Sequence, residues 1–124
     1  MLIPITDDKN IVFYNDDPNL ETDVFIFTLK CIIQLFDEYL PRNNSRSLMI
    51  LLDDSDDSPI CYKKENTILL NTEPFLWSQA AYQFSHEYCH YMIPDDVCEN
   101  LRWFEESICE LSSHFFFRFF RNYG

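Results

Sequence analysis

His86-Glu87-Tyr88-Cys89-His90 places two imidazoles four residues apart, with a carboxylate beside the first. In an α-helix, residues four apart share a face one turn above each other, so both rings can reach a single ion. A carboxylate flanking that face can take a proton from an attacking water without itself binding metal. The chain contains three histidines, so this pentad holds two of them. Histidine pairs at this spacing suit zinc, which takes four donors in structural sites and keeps one position open in catalytic ones.

Two ligands leave such a site incomplete. The next candidates lie in Trp103-Phe104-Glu105-Glu106-Ser107-Ile108-Cys109-Glu110. Glu106 and Glu110 are four apart and share a helix face, while Glu105 points about 100° away from Glu106. Spacing alone leaves Glu106 and Glu110 both open as the third ligand. Together, the pentad and this acidic segment resemble the gluzincins, zinc peptidases in which a glutamate on a second helix completes the metal site. Many of them carry W-x-x-E, a small residue and another acid one turn later, and Trp103, Glu106, Ser107 and Glu110 fall on those positions. Ser107 departs from the glycine frequent there. Residue by residue, the resemblance implies zinc, one ion per chain, held by His86, His90 and Glu106. It implies Glu110 as the acid that orients a ligand histidine through its other ring nitrogen, and Glu87 as the general base in peptide-bond hydrolysis.

Reach agrees with Glu106. The pentad helix should stop near Met92 or Ile93, because Pro94 disfavours α geometry just before it and breaks the hydrogen-bond ladder. His90 then lies about 4 Å from that stop. A following helix unbroken from Asp96 would carry Glu106 about 15 Å along and past the histidines. An N-cap at Asn100 places it roughly 8 to 9 Å in. Cys89 is three residues from His86, and its place beside both histidines on the helix makes joint ligation strained, so it reads as a packing residue.

The elements that must hold this site follow from pattern. Residues 2 to 14 suggest an irregular start and a strand over Ile11 to Tyr14. Asp17-Pro18 reads as a cap with proline at N1, opening a helix that ends before Pro41. Its middle, Val24 to Leu35, is apolar nearly all round, which predicts burial on every side. Ser47 to Leu52, Ile60 to Tyr62 and Thr67 to Asn71 read as strands, the last two joined by a Lys63-Lys64-Glu65-Asn66 turn. The pentad helix begins near Thr72 to Phe75. The expected fold is α+β and zincin-like: a backing helix, a small twisted mixed sheet of three to four strands, an active-site helix and a C-terminal glutamate helix. The length resembles that of the single-domain minigluzincins, with residues 1 to 124 as one catalytic domain. In zincins an extended substrate pairs with the strand just ahead of the metal helix, which here implies Thr67, Ile68, Leu69, Leu70 and Asn71 as substrate-binding residues.

Nine basic against twenty-one acidic residues, a net charge of −12, argue against nucleic acid and anionic membrane surfaces as partners. A peptide or protein substrate is expected instead. The five cysteines, Cys31, Cys61, Cys89, Cys98 and Cys109, are an odd set without a C-x-x-C pair. No hydrophobic leader opens the chain and no apolar run is long enough to span a bilayer, so reduced thiols in the cytoplasm are expected. Asp54, Asp56, Ser58 and Glu65 match calcium-loop spacing, but Pro59 occupies the required glycine position, so the segment reads as a solvated turn. The Phe115-Phe116-Phe117-Arg118-Phe119-Phe120 run exceeds what one core can cover and suggests a homodimer contact or a cleft wall. The oxyanion-stabilising group is open, with His114, Tyr82 and Tyr123 as candidates. Two rival readings stand beside the enzyme. One is a non-catalytic zinc-binding interaction protein. The other is a regulatory protease with one dedicated protein target, resembling those of mobile elements, which carry asparagine where this chain has Glu110.

Overall fold

Ile11 and Phe13, Leu48 and Ile50, and Ile68 and Leu70 are buried in pairs two residues apart, at most 1% exposed. Alternate strand residues point to one face, so these six side chains line the same side of a sheet. The computed structural model describes residues 1–17, 19–39, 47–53, 59–72, 77–93 and 102–123. Within them the fold is α+β. Strands β1 (Leu2–Pro4) and β2 (Ile11–Tyr14) precede helix α1 (Asp23–Tyr39). Strands β3 (Leu48–Leu52), β4 (Ile60–Tyr62) and β5 (Thr67–Leu70) follow, then helices α2 (Trp77–Met92) and α3 (Arg102–Tyr123).

The five strands form one mixed sheet in the order β1-β2-β3-β5-β4. The inner pairs β2–β3 and β3–β5 are parallel, and the outer pairs β1–β2 and β4–β5 are antiparallel. β1 is an addition to the strands expected from sequence, where the N-terminus reads as irregular. It is three residues long, ends in Pro4 and lies on an edge, the sheet position that tolerates proline. The turn behind it is built by Asp8, whose Oδ1 accepts the Asn10 N–H at 3.0 Å and the Thr6 hydroxyl, with Lys9 in left-handed geometry (φ 62°).

α1 begins later than expected. Asp17 does cap, but it caps a turn: its Oδ1 accepts the Asn19 N–H at 3.0 Å and its carbonyl the Leu20 N–H at 3.1 Å. The helical ladder itself starts with Ile26 N–H donating to Thr22 O at 2.9 Å. Nor is α1 buried all round. Phe25, Leu29, Ile32, Ile33 and Phe36 face the core, whereas Val24 and Phe27 are 51% and 62% exposed. Apolar residues on the outer face conceal the amphipathic burial.

α2 is the central element, touching α1, α3, β4 and β5. Ala80, Ala81, Phe84 and Tyr88 enter the core at helical spacing and are 0% exposed. Phe36 of α1 meets Tyr88 edge-on at 4.9 Å and Phe84 stacks on it at 5.1 Å. Fully burying a side chain of the Leu or Phe class contributes about 1.5–3 kcal/mol, so this cluster fixes the rotation of α2 about its axis. That rotation leaves His86 and His90 on the flank facing α3. α2 stops at Met92, as the expected break requires. Pro94, Asn100 and the Asp54–Ser58 segment lie outside the described residues. Among the described residues no helix is long and apolar enough to cross a membrane.

Candidate metal centre

His86 and His90 stand one turn apart on α2 with their side chains 13% and 14% exposed and ring centroids 5.0 Å apart. Their Nε2 atoms lie 3.2 Å from each other. α3 brings Glu106 onto the same point: Oε1 is 2.7 Å from His86 Nε2 and Oε2 is 3.0 Å from His90 Nε2. One ligand atom from each of the three residues lies within 4.8 Å of the others, so this group could hold a metal ion. Bonds of about 2.0–2.1 Å at tetrahedral angles put donor atoms about 3.3–3.4 Å apart. The 3.2 Å between the two nitrogens fits that edge.

The far side of each imidazole is held as well. His86 Nδ1 lies 3.1 Å from Glu110 Oε2, and His90 Nδ1 lies 2.6 Å from Glu105 Oε2. A carboxylate only accepts, so each of these acids favours a hydrogen on Nδ1, and a metal ion in place of a hydrogen on Nε2 would complete the pattern. Glu110 stands behind His86. Glu105, the weaker ligand candidate by sequence, serves His90 in the same way. Its signal was the adjacent pair Glu105-Glu106, whose 100° divergence lets two acids address the two nitrogens of one ring. Neighbouring His90 and Lys63 hold its carboxyl below the ordinary carboxylate value, against the opposing effect of burial.

Glu87 is 7% exposed and lies beside the cluster without joining it. Burial, then the nearby negative charge of Glu106, pushes its carboxyl up to about 8, partly offset by a hydrogen bond from the Cys61 N–H. It opens on a cavity of about 550 Å³ that is walled by β4 and the following turn on one side and by His90, Glu105 and Glu106 on the other.

The expected substrate strand is corrected here. The strand Thr67–Asn71 cannot pair with an extended substrate, because β5 lies inside the sheet between β3 and β4. Asn71 is also occupied: Gln83 accepts its N–H at 3.0 Å and donates to its carbonyl at 2.8 Å, a clamp the sequence did not reveal. Beside the cavity the edge strand of the described sheet is β4, Ile60–Tyr62, whose Cys61 N–H is donated to Glu87. Tyr82 and His114, considered as oxyanion donors, both bond Glu110, the former through its hydroxyl and the latter at 3.3 Å, on the Nδ1 side of His86. The Tyr123 and Trp103 side chains lie outside the described residues, as does most of the phenylalanine run beyond Phe115.

Cys89 is 3% exposed and packs against Cys109 of α3, apart from the His86–His90–Glu106 group. Cys31, Cys61, Cys89 and Cys109 are free thiols. No family model, curated protein or solved structure matches this chain.

Proposed function

We propose that the chain is a zinc-dependent peptide hydrolase with a zincin-like catalytic core. The observation carrying this reading is the convergence of His86 Nε2, His90 Nε2 and the Glu106 carboxylate, each imidazole backed by an acid on its other nitrogen. Three nitrogen and oxygen donors leave a fourth position open, the pattern of catalytic rather than structural zinc. Bound zinc supplies a Lewis acid that polarises a carbonyl and lowers the pKa of water.

The remaining work falls to this chain's own groups. Glu87, next to a ligand and facing the cavity, accepts the proton of the attacking water and returns it to the leaving amine. The peptide is taken up in the cavity between β4 and the Glu105 and Glu106 side chains.

A non-catalytic zinc-binding role is favoured by one observation: two of the three oxyanion candidates, Tyr82 and His114, are both engaged by Glu110. The two readings separate on one comparison. Zinc-loaded wild type and Glu87→Gln are incubated with a diverse peptide library while bound zinc is measured. The hydrolase reading requires cleavage by wild type and a loss of about 10²- to 10⁴-fold in the variant at unchanged zinc content. Tight zinc binding with no cleavage by wild type selects the binding protein.

A further inference from the structure

Lys63 belongs to the turn between β4 and β5, where Asn66 adopts left-handed geometry (φ 50°) and donates its N–H to Lys63 O at 3.2 Å. From there its ammonium reaches α3, with Nζ 3.3 and 3.2 Å from the two Glu105 oxygens. Glu105 Oε2 lies 2.6 Å from His90 Nδ1. The side chains of Lys63, Glu105 and His90 are 18%, 13% and 14% exposed, so the whole chain of contacts is largely shielded from water. His86 is supported differently: Glu110 is 45% exposed, stands at 3.1 Å, and has a tyrosine hydroxyl and a histidine rather than an ammonium as its other partners.

We propose that Lys63 is a positioning residue for the metal centre: its ammonium fixes the Glu105 carboxylate, which holds His90 with hydrogen on Nδ1 and Nε2 turned to the metal position. This rests on the reading of His86, His90 and Glu106 as the metal ligands. The chemistry of the three groups permits one polarity. An ammonium only donates and a carboxylate only accepts, so Glu105, bonded through both oxygens to Lys63, can face His90 only as an acceptor. The imidazole must then carry a hydrogen on Nδ1, so that the nitrogen open to a metal ion is Nε2, which faces His86 and lies 3.0 Å from Glu106 Oε2. A freely rotating Glu105 would lose this register. Because Lys63 is carried by the turn after β4, the arrangement also ties one ligand to the wall of the cavity.

The test uses full-length, metal-free, ¹⁵N-labelled protein, with long-range proton–nitrogen spectra reporting the tautomer of each histidine. In wild type and in Lys63→Arg, His90 should be protonated on Nδ1. In Lys63→Met, which keeps the aliphatic stem, His90 should show mixed tautomers while His86 is unchanged. Zinc affinity, measured by competition with a chelating dye, should fall roughly 10-fold in Lys63→Met and about 10- to 100-fold in Glu105→Ala. The double variant should be no weaker than Glu105→Ala, since Lys63 acts through Glu105. Lys64→Met, which removes the adjacent charge, should stay within about twofold of wild type. The proposal is overturned if His90 keeps a pure Nδ1–H tautomer in Lys63→Met, if the two losses add, or if Lys64→Met matches Lys63→Met. A wild type that takes up no zinc would refute the metal reading, while the tautomer comparison in the metal-free protein still decides the role of Lys63.

Discussion

Replacing Glu87 by glutamine should stabilise the metal-free protein at alkaline pH and leave it nearly unchanged in acid. The carboxyl is 7% exposed, and burial together with the Glu106 charge raises it from an ordinary 4.5 to about 8. A raised folded-state value means that the native state binds this proton more tightly than the unfolded chain does. The resulting stability is fully present below pH 4.5 and is lost as pH rises to about 8. At 1.36 kcal/mol per tenfold change in proton affinity, the loss is at most about 5 kcal/mol. At about 4 °C per kcal/mol for a domain of this size, the ceiling is about 20 °C in Tm. Glutamine has the shape of the neutral acid and does not ionise, so the variant escapes the loss. Thermal melts of chelator-treated wild type and Glu87→Gln at intervals from pH 4.5 to 9 should therefore diverge, with the variant ahead by a margin that grows until about pH 8. Both proteins carry the same remaining acidic excess, so the difference between their curves isolates Glu87. Parallel curves, or a wild type that gains on the variant as pH rises, would refute the buried-carboxyl argument.

Two further substitutions probe the frame. Glu106→Ala removes a direct donor and should weaken zinc binding more than Glu110→Ala, which should cost about 10- to 100-fold; competition titration checks the order, and a reversal would exchange their roles. Gln83→Ala removes both hydrogen bonds to the Asn71 backbone and should destabilise the fold by roughly 1–3 kcal/mol in urea denaturation, with an effect below about 0.5 kcal/mol showing that water replaces the clamp.

The centre was legible because its parts are local. Four-residue spacing puts His86 and His90 on one face whatever else the chain does, and the proline after Ile93 marks where α2 must stop. Glu106 came from the resemblance to the gluzincins, with which helix reach agreed, since spacing alone left Glu110 open beside it. What depended on pairing across the chain was not legible. β5 follows β4 in sequence but lies inside it in the sheet, so the strand expected to be an open edge is an interior one. The start of α1 was misplaced because an aspartate that caps a turn has the same local signature as one that caps a helix. The support from Lys63 and Glu105 needs the β4–β5 turn to meet α3, and no periodicity in either segment encodes that meeting.

The central claim, that His86, His90 and Glu106 hold one catalytic metal ion, is tested most directly by metal content. Protein loaded with zinc, dialysed against metal-free buffer and analysed by mass spectrometry of the elements should retain one zinc per chain. His86→Ala, judged folded by circular dichroism, should retain none. A wild type that comes through dialysis empty, or a His86→Ala variant that keeps its full equivalent of zinc, would contradict the account.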